Sequence, residues 1–375
     1  MSYFISIQTA FIIFPVIAFL ITLPYMLIEY RKYGSVHKLR TIIIYSYILY
    51  LINIYFLVIL PLPSTQSVHI SRWNMINYIP FTFVMDFMKR SPLILNDPSS
   101  YLETIKHPTF YIPIFNILMT IPFGMYLRYY FKCNFKQTLF YSFLLSLFFE
   151  LTQFTGLYFI YPSPYRFCDI DDIIQNTFGG ILGYALFSLI RNILPSRDEI
   201  DEASFEKGKI VSGIRRVLAF QIDVMICTFL SLILFMITHF KYCFYFVFFI
   251  SFSIIPIIQD GKTLGSSFLR YKITFEKNKN SKTLLRSICM LFFFCIIPSV
   301  VFVLLYRMNI YISGNYKNIY LVFYGILLIS VFMYYFGTMI SFIKDKKMFY
   351  DVWLHCIYKS YIKNDSMEDS IETIL

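Results

Sequence analysis

The stretch "PYRFCDIDDIIQNTFGGILGY", residues 164–184, decides how this chain is read. It gathers Arg166, Asp169, Asp171 and Asp172 at the start of an apolar run that continues to about residue 194. Aspartates at a helix start satisfy free N–H groups and complement the positive end of the dipole. One aspartate is enough for that task, and three with an arginine exceed it. Asp169 and Asp172 share a helical face, as do Asp172 and Asn176. Gly179 and Gly183 then supply the small-residue spacing that lets a second helix approach closely. The passage reads as a membrane helix with a charged mouth and a tight packing stripe.

The rest of the chain agrees with a membrane setting. Of its 375 residues, 58% are hydrophobic, 21% aromatic and only 15% charged. Its mean hydropathy of +0.62 lies well above that of a soluble domain. A bilayer core of about 30 Å needs roughly 20 apolar residues as helix. Nine segments qualify, at about 3–28, 41–61, 109–127, 137–160, 173–194, 214–238, 242–258, 283–306 and 318–343. The expected fold is therefore all-α: a polytopic integral membrane protein of about nine helices, in bundles of five and four.

The formal charge of +11 sits in particular connections. Arg31, Lys32, Lys38 and Arg40 follow the first span, Arg128, Lys132 and Lys136 the third, and Arg191, Arg197, Lys207 and Lys209 the fifth. The connection at 259–286 and the tail from Lys344 are basic too. All fall on one side if the N-terminus is outside and the C-terminus cytoplasmic. The lysines form no stripe on a soluble domain, which argues against nucleic acid as a partner. The start of the chain lacks a basic region and a small-residue cleavage site, so it is expected to stay as the first helix. The seven cysteines and five histidines show no metal-binding spacing, so neither a metal nor a cofactor is expected.

Four divisions follow. Residues 1–194 form a five-helix membrane domain and 195–207 a charged cytoplasmic linker. Residues 208–362 form a four-helix membrane domain, and 363–375 an acidic tail.

Within the first division, Glu150 lies ten residues before Ile160, roughly 15 Å from the outer end of its helix, near mid-bilayer. Gln153 shares its face. A carboxylate at that depth is costly and marks a functional site by default. Arg166 in the short outer loop, or Arg72 in the long one, is a partner for Glu150 or for the aspartates. Asn74 follows Arg72, and "IPF" recurs at Ile79–Phe81 and Ile121–Phe123, the second after Asn116. Together Arg72, Asn74, Glu150, Gln153, Arg166, Asp169, Asp171, Asp172 and Asn176 outline an outer polar site.

"RWNMINYIPF", Glu150-Leu-Thr-Gln153 and the 166–184 passage occur in an order that resembles the VanZ-like family, over about residues 41–194. The resemblance implies a cell-envelope protein of a Gram-positive bacterium, linked to lowered teicoplanin susceptibility. It supplies a context and no reaction.

In the second membrane domain, Arg215 and Arg216 stand at the cytoplasmic edge, and Asp223 lies two turns deeper on nearly the same face. Arg216, or a basic residue of another helix, is the expected partner for this aspartate. "GKTLGSS" (261–267) is not a phosphate-binding loop, because the Gly–Lys–Ser/Thr order fails. Asp351 follows in the tail. The set Arg215, Arg216, Asp223, "GKTLGSS" and Asp351 resembles the RDD family of membrane proteins. Ser266 stands where that family more often has lysine, and a tail glycine–threonine pair is missing.

Three functions stay open. The first is a non-enzymatic protein of the bacterial cytoplasmic membrane that binds a lipid-linked envelope molecule or a glycopeptide at its outer face. The second is an ion- or proton-coupled transporter using Glu150 or Asp223. The third is a membrane enzyme on a lipid-linked substrate, with Arg166 holding phosphate. No nucleophile–base–orienter set is visible, so a non-enzyme is the favoured expectation. The lipid bilayer is the one partner common to all three.

Overall fold

The computed structural model describes residues 2–60, 62, 75–164, 166–303 and 347–362, and 325–340 except 327, 330 and 339. Arg72, Trp73, Asn74, half of the ninth expected span and the acidic tail lie outside the described residues. The chain divides into two compact units, one of residues 1–21 and 38–200, the other of 22–37 and 201–375.

The first unit holds most of α1 (Ser2–Tyr33), then α2 (Lys38–Ile59), β1 (Ile76–Asn77), α3 (Thr82–Arg90), α4 (Ser99–Lys106), α5 (Pro108–Tyr129), α6 (Phe135–Phe154), β2 (Cys168–Asp169) and α7 (Ile170–Ile190). Asn134 and Gln137 start α6 with a reciprocal capping box, which satisfies two donors that a helix start leaves free. Thr138, Ser142, Ser146 and Glu150 then recur every four residues and are buried, while Phe140, Leu144, Phe148 and Leu151 point outward and are exposed. Small polar groups inside and large apolar groups outside suit a helix that faces lipid on one side only.

Helices α5 and α7 meet backbone to backbone. A Cβ on Gly183 would stand 2.0 Å from the Ile121 carbonyl oxygen, and one on Gly179 would stand 2.2 Å from that of Ile117. Gly180 faces the other way, against Ser142 of α6. So α7 is the central element, gripped by α5 through one pair of glycines and by α6 through a third. Ile54, Val58 and Phe149 fasten α2 to α6.

Both ends of this bundle are defined. At one, Lys132 pairs with Asp198, Arg197 donates to the Tyr130 carbonyl (2.6 Å), and Tyr129 donates to the Pro195 carbonyl (3.0 Å). At the other, β1 and β2 pair in parallel, with Ile76 beside Cys168 and Asn77 beside Asp169. There, Gly156–Phe159 all have positive φ, a left-handed turn that costs about 1–2 kcal/mol per non-glycine residue.

The charged stretch expected as a linker is folded as α8 (Arg197–Gly208), with Ile200 and Ser204 buried. The second unit continues with α9 (Gly213–Thr238), α10 (Cys243–Ile258), α11 (Leu264–Phe268), β3 (Tyr271–Thr274), α12 (Lys279–Val303), α13 (Phe349–Trp353) and β4 (Ile357–Ser360). The last turns of α1 belong here: Tyr33 donates to Asp201 (3.1 Å) and Ser35 to the Ser204 carbonyl (2.7 Å). Strands β3 and β4 run antiparallel, Tyr271 opposite Ser360. Wider π-helical turns interrupt α10 at Ile250–Ile254 and α12 at Phe292–Ile296, and they carry Phe252 and Phe293 into a shared core.

Among the described residues, six helices are long and apolar enough to cross a membrane: α1, α2, α5, α7, α9 and α12. The chain is a mainly helical, multi-pass membrane protein; among the described residues the departures from all-α are the two small ladders. The polar stripe of α6 and the 16-residue length of α10 keep both out of the six.

Candidate functional site

The three aspartates at the mouth of α7 do three different things. Asp169 is the N-cap: its Oδ1 accepts from Asp171 N at 2.9 Å and from the Asn77 amide at 3.0 Å. Asp171 turns away to α3. It accepts from Phe81 N (2.5 Å), the Thr82 hydroxyl (2.6 Å) and Phe83 N (3.0 Å), which satisfies the start of that helix and holds Phe81 in its left-handed conformation. Asp172 turns inward, where its Oδ1 accepts from the Asn116 amide at 2.7 Å. Asn116 donates also to Gln175 (3.0 Å).

Glu150 rises from α6 beneath this mouth. Its Oε2 accepts from Asp169 N at 2.8 Å, so a single peptide links β2, α6 and α7. Arg166 does not pair with Glu150. Its two terminal nitrogens donate to the Val58 and Leu60 carbonyls, the free acceptors at the C-terminal end of α2. Gln153 also donates to Val58, at 3.2 Å. Glu150, Gln153, Arg166, Asp172, Asn176 and Asn116 nevertheless line one cavity of about 250 Å3, walled by Leu57, Tyr111, Phe115, Met119 and Phe149. Burial, and after it the Glu150 carboxylate, push the neighbouring Cys168 thiol up to about 11.

Residues 47–191 match the model of the VanZ/LLP1 family. The part of the chain that carries the cavity is thus VanZ-like. Every residue lining the cavity falls inside the matched range. No curated protein and no solved structure matches the chain.

The second unit has its own cavity, of about 290 Å3, lined by Arg216, Asp223, Thr263, Arg286 and Tyr358 among aromatic and aliphatic side chains. Arg215 is fully buried and spends its donors on the carbonyls of Gly208, Leu269 and Arg270 and on the Ser360 hydroxyl. It ties α8, α9, α11 and β4 together. Asp223 accepts from the Thr263 hydroxyl and from Gly265 N, both at 2.6 Å, at the start of α11. A capping box between Thr263 and Ser266 shapes that start, and a Cβ on Gly265 would stand 2.1 Å from the Ala219 carbonyl. The hydrogen bonds of Asp223 are therefore to "TLGS" and not to Arg216, whose guanidinium lies over the Tyr358 ring. Asp351 pairs with Arg286 at 2.7 Å and accepts from the Tyr358 hydroxyl at 2.5 Å.

Arg286 is the functional-site residue that sequence reading missed. It stands in "SKTLLRSICML", at the head of an apolar span, and counted only toward the charge of the basic connection at 259–286. Asn116 was visible as a polar break in α5, yet its link to Asp172 spans 56 positions. Among the described residues no group of three or more metal-ligating side chains occurs.

Proposed function

We propose that this VanZ-like protein is a non-enzymatic component of the bacterial cytoplasmic membrane, with nine spans, its N-terminus outside and its C-terminus in the cytoplasm. Its polar cavity opens toward the outer leaflet, receives the headgroup of a lipid-linked envelope molecule or of a lipoglycopeptide, and so lowers susceptibility to teicoplanin-like compounds. One observation carries this reading: Glu150, Arg166, Asp172 and Asn176, distant in sequence, line a single cavity within the family-matched residues. The orientation is supported by charge. The end of the first unit where Lys132 and Arg197 lie is basic, and the end with the cavity is not. Residues 208–362 are read as an RDD-like membrane domain on the motif residues Arg215, Arg216, Asp223 and Asp351. Asp223 is tied to fixed donors in the described structure, which favours an architectural role over carriage of an ion.

The test is susceptibility. Expression of the full chain in a sensitive bacterium is expected to raise the teicoplanin concentration needed to stop growth, and Glu150→Gln to return it to the vector level at equal membrane abundance. An unchanged threshold, with the wild-type chain present in the membrane, would remove the reading.

A further inference from the structure

The cavity of the first unit carries more carboxylate than cation. Arg166 is its one cation among the described lining residues, and both terminal nitrogens already serve carbonyl oxygens of α2. Glu150 and Asp172 bring two carboxylates, and Asp172 Oδ2 accepts no hydrogen bond among the described residues. The start of α7 would favour an anion, but Asp169, Asp171 and Asp172 already compensate its dipole.

Asn176 adds an independent observation. The residue is 4% exposed and lines the cavity, yet its Oδ1 has no hydrogen-bond partner. Its orientation is fixed by its neighbour. Ser146 spends its hydroxyl proton on the Asp172 carbonyl (3.3 Å), so the Asn176 amide must donate to Ser146 Oγ (3.3 Å) and its oxygen is left over. Leaving a buried acceptor without a donor destabilises the folded protein. A ligand with N–H donors would remove that cost.

We propose that the cavity binds a primary ammonium group, presented by a lipid headgroup or by a small alkylamine. Three N–H donors would meet Glu150, Asp172 and Asn176 Oδ1. The positive charge offsets the excess carboxylate, and Tyr111, Phe115 and Phe149 in the cavity wall are of the residue class whose rings attract a cation. A volume of about 250 Å3 holds a headgroup-sized fragment. This inference rests on the reading of the cavity as the binding site.

The experiment uses the full chain in phosphatidylcholine nanodiscs, which offer no primary amine, and follows thermal unfolding against added octylamine and octyl phosphate. Octylamine is expected to raise the melting temperature saturably and octyl phosphate to leave it unchanged. Glu150→Gln and Asn176→Leu should each weaken octylamine by about tenfold or more, the loss of one charge-assisted or buried hydrogen bond. Glu103→Gln, at an exposed position of α4, should not. Replacing part of the lipid by phosphatidylethanolamine distinguishes the sources. If the headgroup is the ligand, it raises the melting temperature alone and blunts the octylamine shift; if a free amine is, the octylamine shift persists. Saturable binding of octyl phosphate that Glu150→Gln abolishes would overturn the ammonium assignment and leave the cavity as the site. An octylamine shift indifferent to both variants, or no saturable response to any probe, would overturn both.

Discussion

Asp169, Asp171 and Asp172 are chemically identical, and their neighbours give them separate work. Asp169 serves its own helix, Asp171 serves α3, and Asp172 faces the cavity. Cys168, one residue earlier, reports on that environment. Its thiol is raised to about 11 by burial first and the Glu150 carboxylate second. A raised thiol pKa means less thiolate at neutral pH, and only the thiolate reacts with alkylating agents. Alkylation of Cys168, followed by mass spectrometry of its peptide, should therefore be slow at pH 8 and accelerate as pH climbs toward 11. Glu150→Gln removes a negative charge and lowers the thiol pKa, so it should speed the reaction at pH 8 severalfold. An identical rate in the two proteins would show that the Glu150 carboxylate does not raise the thiol.

At the scale of elements, the glycines of α7 decide whether a cavity exists. Gly179 and Gly183 bring α7 onto the backbone of α5, where prolines 113 and 122 already remove two helix hydrogen bonds. Gly183→Ala must push a methyl into the Ile121 carbonyl, and neither backbone has a cheap way to move. A loss of about 1–3 kcal/mol is expected, the usual cost of overpacking. Gly337 lies in the helical stretch 331–338, and among the described residues a Cβ there meets nothing within 4 Å, so Gly337→Ala should be neutral or gain up to about 1 kcal/mol from helix propensity. Thermal unfolding of both variants in detergent measures the contrast; equal melting temperatures would break the argument. These elements were largely legible in the sequence. Apolar length marked the spans, and Glu150 with Gln153 marked the inward face of α6, where both are buried. What stayed hidden were pairings across long separations. Nothing local says that Asp171 reaches back 90 positions to Phe81, or that Arg286 finds Asp351 65 positions later. Helix α8 was hidden for a different reason: its charged surface masks a single buried edge of Ile200 and Ser204.

Over the whole molecule, charge and apolar length together set a topology. Helix α6 spans 20 residues, roughly 30 Å, enough to cross a bilayer although its polar stripe lowers its hydropathy. If it crosses, α5, α6 and α7 alternate in direction. The basic connection between α5 and α6 then lies on the same side as the end of α7, as the Lys132–Asp198 pair and the Arg197 bond to Tyr130 require. That side carries Arg128, Lys132, Lys136, Arg191 and Arg197, which is why the proposed orientation puts it in the cytoplasm. Helix α4 and the cavity mouth then face outward. With the native cysteines replaced by alanine or serine, a cysteine at exposed Ser99 should react with a membrane-impermeant maleimide on intact cells. One at exposed Glu276, in the connection before α12, should react only after permeabilisation. Labelling of the Glu276 position in intact cells, with Ser99 protected, would invert the chain. It would place the Glu150 cavity at the cytoplasmic leaflet, where an extracellular glycopeptide has no access.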